Sequence, residues 1–154
     1  MSHLKVGDKA PDFTGIDQNG NTISLSDFKG SKLVLFFYPK ANTPGCTAES
    51  CSLNENYQVF AAKGFKILGV SADNQKSQLN FATKYNFGFP LLADTEKVVI
   101  KAYGAWGAKK LYGKEYEGIM RYTFIISGEG IVEEIYTKVE TKDHAGQIFK
   151  AMKI

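Results

Sequence analysis

Leu33-Val-Leu-Phe-Phe-Tyr38, followed at once by Pro39-Lys-Ala-Asn-Thr-Pro-Gly-Cys46-Thr-Ala-Glu-Ser-Cys51, is the stretch on which the fold of this chain turns. An unbroken apolar run ended by proline predicts a strand from Lys32 to Tyr38. The segment after Thr-Pro-Gly predicts a helix over Thr47 to Lys63, ended by Gly64, and Lys66 to Ser71 reads as a second strand. Strand, helix and strand in this order make a βαβ unit. Within the helix, Leu53, Tyr57, Phe60 and Ala61 recur at helical spacing and are expected to face the sheet, with Glu49, Asn54, Glu55 and Gln58 toward water.

Outward from that unit the rhythm continues. A helix is predicted from Gln75 to Tyr85, carrying Leu79 and Phe81-Ala82, then a short strand at Leu91-Leu92 and helical turns from Glu96 to Tyr103. Met120 to Ile126 and Ile131 to Tyr136, separated by Ser127-Gly-Glu-Gly130, read as a β-hairpin, and Asp143 to Met152 as a closing amphipathic helix. No repeat, linker or low-complexity segment interrupts the pattern. One domain over residues 1–154 is expected, an α/β sandwich with a central mixed sheet flanked by helices.

Composition narrows the function. With 154 residues, 44% hydrophobic and 13% aromatic, the chain has enough apolar surface for one well-buried core. The net charge of +3 is spread over lysines along the whole sequence, which argues against nucleic-acid and membrane partners. No stretch approaches the roughly 18 apolar residues of a membrane span, and the N-terminus lacks a signal-peptide core, so a cytoplasmic protein is expected. His3 and His144, far apart and expected to be solvated, make no zinc set with two cysteines. Trp106 to Tyr116 interleaves aromatic and basic residues and is expected to be a mobile loop beside the active site rather than a single-strand nucleic-acid surface.

The only two cysteines are the informative residues. Cys46 falls where a strand gives way to a helix, meeting unpaired N–H groups and the positive end of a helix dipole; both favour thiolate over thiol. Cys51 lies five residues on, about 7.5 Å of rise and about 140° of rotation away in a regular helix. The Cα atoms then stand about 8 to 9 Å apart, beyond the roughly 4.4 to 6.8 Å of a disulfide, so pairing requires the helix to unwind first. Thr43 is either a turn or N-cap residue or a hydroxyl curling back toward the sulfur. Pro39 is a strand terminator or a wall beside the sulfur, and Pro44-Gly45 shapes a turn that leaves the Gly45 and Cys46 amides free for a ligand oxygen. Arg121, the only arginine among lysines, sits in an apolar stretch and suits multi-donor contact with an oxyanion or thiolate, or else an edge salt bridge. A thiol–disulfide oxidoreductase and a binding domain with inert thiols remain open on these residues alone.

The pattern Pro39-x-x-x-Thr43-x-x-Cys46 resembles the active-site signature of the peroxiredoxins, and Thr-Pro-Gly-Cys-Thr-x-Glu-x-Cys is similar to the bacterioferritin comigratory protein or peroxiredoxin Q subfamily. Val6-Gly-Asp-x-Ala-Pro-Asp-Phe13, Tyr103-Gly-x-Trp-Gly107, Gly113-Lys-x-Tyr-x-Gly118 and Arg121-x-Thr-Phe124 agree with it, so the resemblance spans essentially the whole chain. It implies a thioredoxin-like fold with an N-terminal β extension and a cofactor-free peroxidase acting on hydrogen peroxide and alkyl hydroperoxides. Cys46 would be the peroxidatic cysteine and Cys51 the resolving one, forming an intramolecular disulfide that thioredoxin or a similar dithiol reduces. Thr43, Arg121 and the Gly45 and Cys46 amides would hold the peroxide; Pro39 would shield the sulfur, and Glu49 matches a subfamily position. With no cysteine near the C-terminus an intermolecular-disulfide dimer mechanism is not expected, and the resemblance implies a monomer; without Gly-Gly-Leu-Gly or a C-terminal Tyr-Phe helix, floodgate-style sensitivity to overoxidation is not expected either. Ser127 replaces a frequent Asp, with a local effect expected.

Overall fold

First in the chain is an antiparallel ribbon, β1 (Thr14–Ile16) with β2 (Thr22–Ser24), in a computed structural model that describes residues 4–153. There follow β3 (Lys32–Phe37), α1 (Pro44–Glu55), α2 (Tyr57–Ala62), β4 (Phe65–Ser71), α3 (Gln75–Tyr85), β5 (Leu91–Ala93) and α4 (Val98–Ala102). A second ribbon, β6 (Trp106–Leu111) with β7 (Lys114–Ile119), precedes β8 (Thr123–Ile126), β9 (Val132–Tyr136) and α5 (His144–Met152). The main sheet runs β5-β4-β3-β8-β9, parallel on the β3–β4–β5 side and antiparallel from β3 through β8 to β9. This is the mixed, helix-flanked sheet of the thioredoxin-like arrangement, with the expected N-terminal β extension.

From Leu33 onward the central strand is apolar at every position because it is covered on both faces. Leu33, Leu35 and Phe37 pack with Leu68, Val70, Phe124 and Tyr103 on one side; Val34, Phe36 and Tyr38 pack with Leu53, Phe60, Phe81 and Ile148 on the other. Each of these large side chains, once removed from water, contributes about 1.5–3 kcal/mol before conformational entropy is set against it. Gly69 on β4 is required by this packing: a Cβ there would stand 2.8 Å from both the Phe36 ring and Leu91.

Several elements differ from expectation for identifiable reasons. The helix predicted over Thr47 to Lys63 starts earlier, at Pro44, and breaks at Asn56, whose side-chain amide donates to the Ser52 carbonyl at 2.9 Å and competes with the helical ladder. Ala61 and Leu79, read as apolar positions, are exposed. The stretch from Trp106 to Tyr116 is no loop. It belongs to the β6–β7 ribbon, whose turn Tyr112-Gly113 has φ of 51° and 79°, the doubly positive pair that suits a two-residue hairpin. Arg121 lies before β8 rather than inside a strand. Ser127 acts locally, its hydroxyl accepting the Glu129 and Ile131 amides at 3.3 and 3.1 Å. Among the described residues no helix is long and apolar enough to cross a membrane.

Strand direction sets the site. Because β8 runs antiparallel to β3, pairing Phe36 with Thr123, the residues just before β8 arrive at the C-terminal end of β3, where the loop to α1 begins. The Phe37 amide donates to the Tyr122 carbonyl at 2.8 Å, which leaves Arg121 facing the first turns of α1.

Candidate active site

Thr43 occupies the N-cap position of α1 in an extended conformation, φ −100° and ψ 157°, and Pro44 stands in the first turn, where its missing N–H costs nothing. The Thr43 carbonyl accepts the Thr47 amide at 2.8 Å, and the first-turn amides of Gly45 and Cys46 have no intrahelical acceptor. The Thr43 hydroxyl makes no cap bond; it donates to the Lys40 carbonyl at 2.8 Å, leaving its oxygen lone pairs open toward other donors. Pro39 is half-buried directly after β3. The loop between them is pinned by Asp73, which accepts the Ala41 amide at 2.7 Å and the Ser71 hydroxyl at 2.6 Å; Ser71 in turn accepts the Gln78 amide, and Gln78 accepts the Tyr38 hydroxyl.

Arg121 is the hub. Its Nη2 donates to Cys46 Sγ at 3.4 Å and its Nη1 to Glu49 Oε1 at 2.8 Å, across 75 and 72 residues of sequence. One guanidinium thus spans a sulfur and a carboxylate one helical turn apart, which a lysine ammonium does poorly. Gly45 eases this approach: a Cβ there would lie 3.2 Å from Arg121 Nη2 and the guanidinium would have to give by a few tenths of an ångström. Burial alone would lower Arg121, but negative charge at Cys46 and Glu49 outweighs it and keeps the guanidinium charged. Cys46 itself is 0% exposed, so a peroxide reaches the sulfur only when neighbouring groups part.

Two expectations are corrected here. Glu49, placed toward water by its polarity, is 0% exposed, because Arg121 arrives from a distant segment to meet it. His144, expected to be solvated, is also 0% exposed: Nδ1 lies 2.8 Å from Gln147 Oε1, Nε2 lies 2.9 Å from Thr123 Oγ1 and 3.9 Å from Glu49 Oε2. His3 lies outside the described residues. Lys109 on β6 is a further cation that sequence reading missed; its ammonium donates to the Ile119 carbonyl at 2.9 Å, and burial, then the Arg121 charge, push it below its ordinary value.

Burial pushes Glu49 up to about 7, with the Arg121 charge and hydrogen bond pulling it down, and pushes His144 down to about 4, with Gln147 opposing and Arg121 adding. The Glu49 contribution to stability is full below its ordinary 4.5 and is lost as pH rises toward 7; that of His144 is full above its ordinary 6.5 and is lost as pH falls toward 4. Between pH 4.5 and 6.5 the folded pair carries one proton on Glu49 and the unfolded pair one on His144, so the two linkages cancel. Glu49→Gln is therefore expected to expose the His144 slope alone. Its own urea midpoint should fall steadily from about pH 6.5 to about pH 4, where that of wild type holds level between pH 4.5 and 6.5; a level midpoint in the variant would show that His144 is not held neutral.

Cys51 is a free thiol, half-buried on α1, as Cys46 is free on the same helix. Burial, then the Glu55 carboxylate, push the Cys51 thiol up. The structure therefore gathers Cys46, Arg121, Glu49 and Gly45, places Thr43 at the N-cap of the helix that carries them and Pro39 directly after β3, and holds Cys51 on the same helix, beyond disulfide reach while that helix is regular. Among the described residues no group of three or more His, Cys, Asp or Glu is placed to hold a metal ion.

Residues 6–135 match the model of the AhpC/TSA family. Peroxiredoxin Bcp of Bacillus subtilis is 42% identical over 150 residues, covering 97% of this chain and 96% of that protein. Among solved structures, peroxiredoxin Q of Xylella fastidiosa superposes with a TM-score of 0.92 at 32% identity, covering 99% of this chain and 98% of that one. The bacterioferritin comigratory protein of Xanthomonas campestris, described for alkyl peroxide reduction, superposes with a TM-score of 0.88 at 37% identity over 99% and 98% of the two chains. With its thiol, its guanidinium and this ancestry, the chain belongs to the AhpC/TSA family as a peroxiredoxin of the Bcp and PrxQ type, a thiol-dependent peroxidase.

Proposed function

We propose that the protein reduces hydrogen peroxide and alkyl hydroperoxides through a Cys46 sulfenic acid that Cys51 resolves. The contact of Arg121 with both Cys46 and Glu49 is the observation that carries this reading. The Cys46 thiolate attacks the distal peroxide oxygen, giving a sulfenic acid and an alkoxide or hydroxide that takes a proton to leave as alcohol or water. Arg121, the Gly45 and Cys46 amides and the Thr43 hydroxyl are suited to stabilise the departing oxygen, and Pro39 to shield the sulfenic acid. After the first turns of α1 unwind, the Cys51 thiol condenses with the sulfenic acid, forming the disulfide and releasing water. A thioredoxin-like dithiol then returns two electrons and two protons, becoming a disulfide itself. Every electron comes from a thiol, and no cofactor enters the balance. An intramolecular bridge needs no second copy, which supports a single-domain monomer over residues 1–154, working where such dithiols are kept reduced, the cytoplasm.

Stopped-flow fluorescence of Trp106 with one equivalent of hydrogen peroxide, followed by mass-spectrometric mapping, tests the reading. The expected result is oxidation far faster than that of free cysteine, ending in a Cys46–Cys51 bridge. Oxidation at the free-thiol rate would overturn it and bring disulfide exchange, read by insulin reduction, to the front.

A further inference from the structure

Behind Arg121 lies a buried group that the peroxidase chemistry leaves unused. Gln147 fixes the state of His144. Its Nε2 donates to the Lys138 carbonyl at 2.8 Å and its Oε1 accepts the Glu140 amide at 3.0 Å, so the atom 2.8 Å from His144 Nδ1 is an acceptor and Nδ1 carries the proton. In the neutral ring Nε2 is then bare, accepts from the Thr123 hydroxyl at 2.9 Å, and turns toward Glu49 Oε2 at 3.9 Å. Glu49 Oε2 is buried and has no hydrogen-bond partner. An ionised Oε2 would face a lone pair with no donor, which is costly in a dry site; a protonated one would face an acceptor.

We propose that His144 is a positioning residue of the peroxidase cycle, its bare Nε2 favouring a proton on Glu49 Oε2 so that Glu49 stays buried on Arg121 and holds the first turns of α1 closed. The proposal rests on the Cys46–Cys51 reading, because bridging requires those turns to open. Opening carries Glu49 into water, where the carboxyl releases its proton to solvent. Ser52 and Asn54 mark where opening stops: the Ser52 hydroxyl accepts the Ala145 amide at 3.1 Å, and Asn54 Oδ1 accepts the Gly88 amide at 2.8 Å. The charged and titratable groups facing the pair are Arg121 before β8, Cys46 on α1 and, against the imidazole, Tyr136 on β9 with ring centroids 5.7 Å apart; Lys109 on β6 reaches the pair only through Arg121 and Cys46. Burial, which favours the neutral carboxyl of Glu49 and the neutral ring of His144, agrees with this arrangement.

Amide hydrogen exchange of residues 47–51 in the reduced protein, corrected for intrinsic pH dependence, reads the opening directly. In wild type the opening constant is expected to rise at least about tenfold between about pH 5.5 and 7.5 and then level off, since opening releases a proton. Glu49→Gln should be flat. His144→Gln, which puts an amide donor near Oε2, should move the levelling-off of the rise about one pH unit lower, a tenfold weaker hold on the Glu49 proton. Independently of any variant, 15N NMR of wild type should show His144 as the Nδ1–H tautomer with bare Nε2. A level wild-type profile, an unmoved levelling-off in His144→Gln, or an Nε2–H tautomer overturns the proposal. None of these needs peroxide, so they fail separately from the peroxidase reading, which falls only if Cys46 oxidises slowly.

Discussion

Arg121→Ala is expected to slow Cys46 oxidation by about 10²–10³-fold, the range seen when one preorganised donor to a developing oxyanion is lost. The guanidinium contacts Cys46 Sγ at 3.4 Å and Glu49 Oε1 at 2.8 Å, so one substitution removes the cation beside the nucleophile and frees the carboxyl that aligns the helix. Its effect on stability should be smaller. Breaking a buried ion pair costs on the order of 3–5 kcal/mol when the orphaned charge must stay charged. Glu49, already pushed up to about 7 by burial with Arg121 pulling it down, escapes by holding its proton to higher pH once the arginine is gone. The cost then approaches the roughly 1–3 kcal/mol of an unsatisfied polar group. Arg121→Lys should recover only part of the rate, because a single ammonium cannot serve both acceptors in the same geometry. Stopped-flow oxidation rates set beside urea midpoints for the two variants decide the matter; an unchanged rate in Arg121→Ala would remove Arg121 from the site.

What could be read ahead of the structure divides along local and distant contacts. Strand β3 was legible because a strand buried on both faces must be apolar at every position, and Cys46 because Thr43, Pro44 and Gly45 announce a helix start. Arg121 stood out by being the only arginine. Glu49 was put on the wrong face because polarity along a helix counts solvent as the sole partner, whereas its partner comes from 72 residues away. His144 had a usable signal: with Ala145 and Ile148 it makes an i, i+1, i+4 buried stripe on α5. Nothing in sequence, however, relates that stripe to α1. The β6–β7 ribbon was hidden by lysines and tyrosines that alternate without a clear apolar face, since its contacts are mainly with itself.

Cys51→Ser should leave the first oxidation of Cys46 fast and yet stop steady turnover with a thioredoxin-type reductant, a fall of at least about 10²-fold if the sulfenic acid has no other partner in the helix. The argument begins with the closed state. Cys46 and Cys51 are both in α1, whose regular geometry keeps their Cα atoms about 8–9 Å apart, so the thiol that must attack is out of reach. Burial and the Glu55 carboxylate also hold Cys51 as thiol, a poor nucleophile, while the helix persists. Unwinding removes the distance and both of these restraints together, which makes opening of α1 the step that admits resolution. In Cys51→Ser the helix still opens, but the serine hydroxyl cannot displace water from the sulfenic acid to leave a reducible bond. The protein should therefore consume one equivalent of peroxide and accumulate a Cys46 sulfenic acid, detectable by dimedone adduct mass. If the variant instead cycles at the wild-type rate, the external dithiol attacks Cys46 directly, Cys51 is not the resolving residue, and α1 has no need to open for the two cysteines to pair.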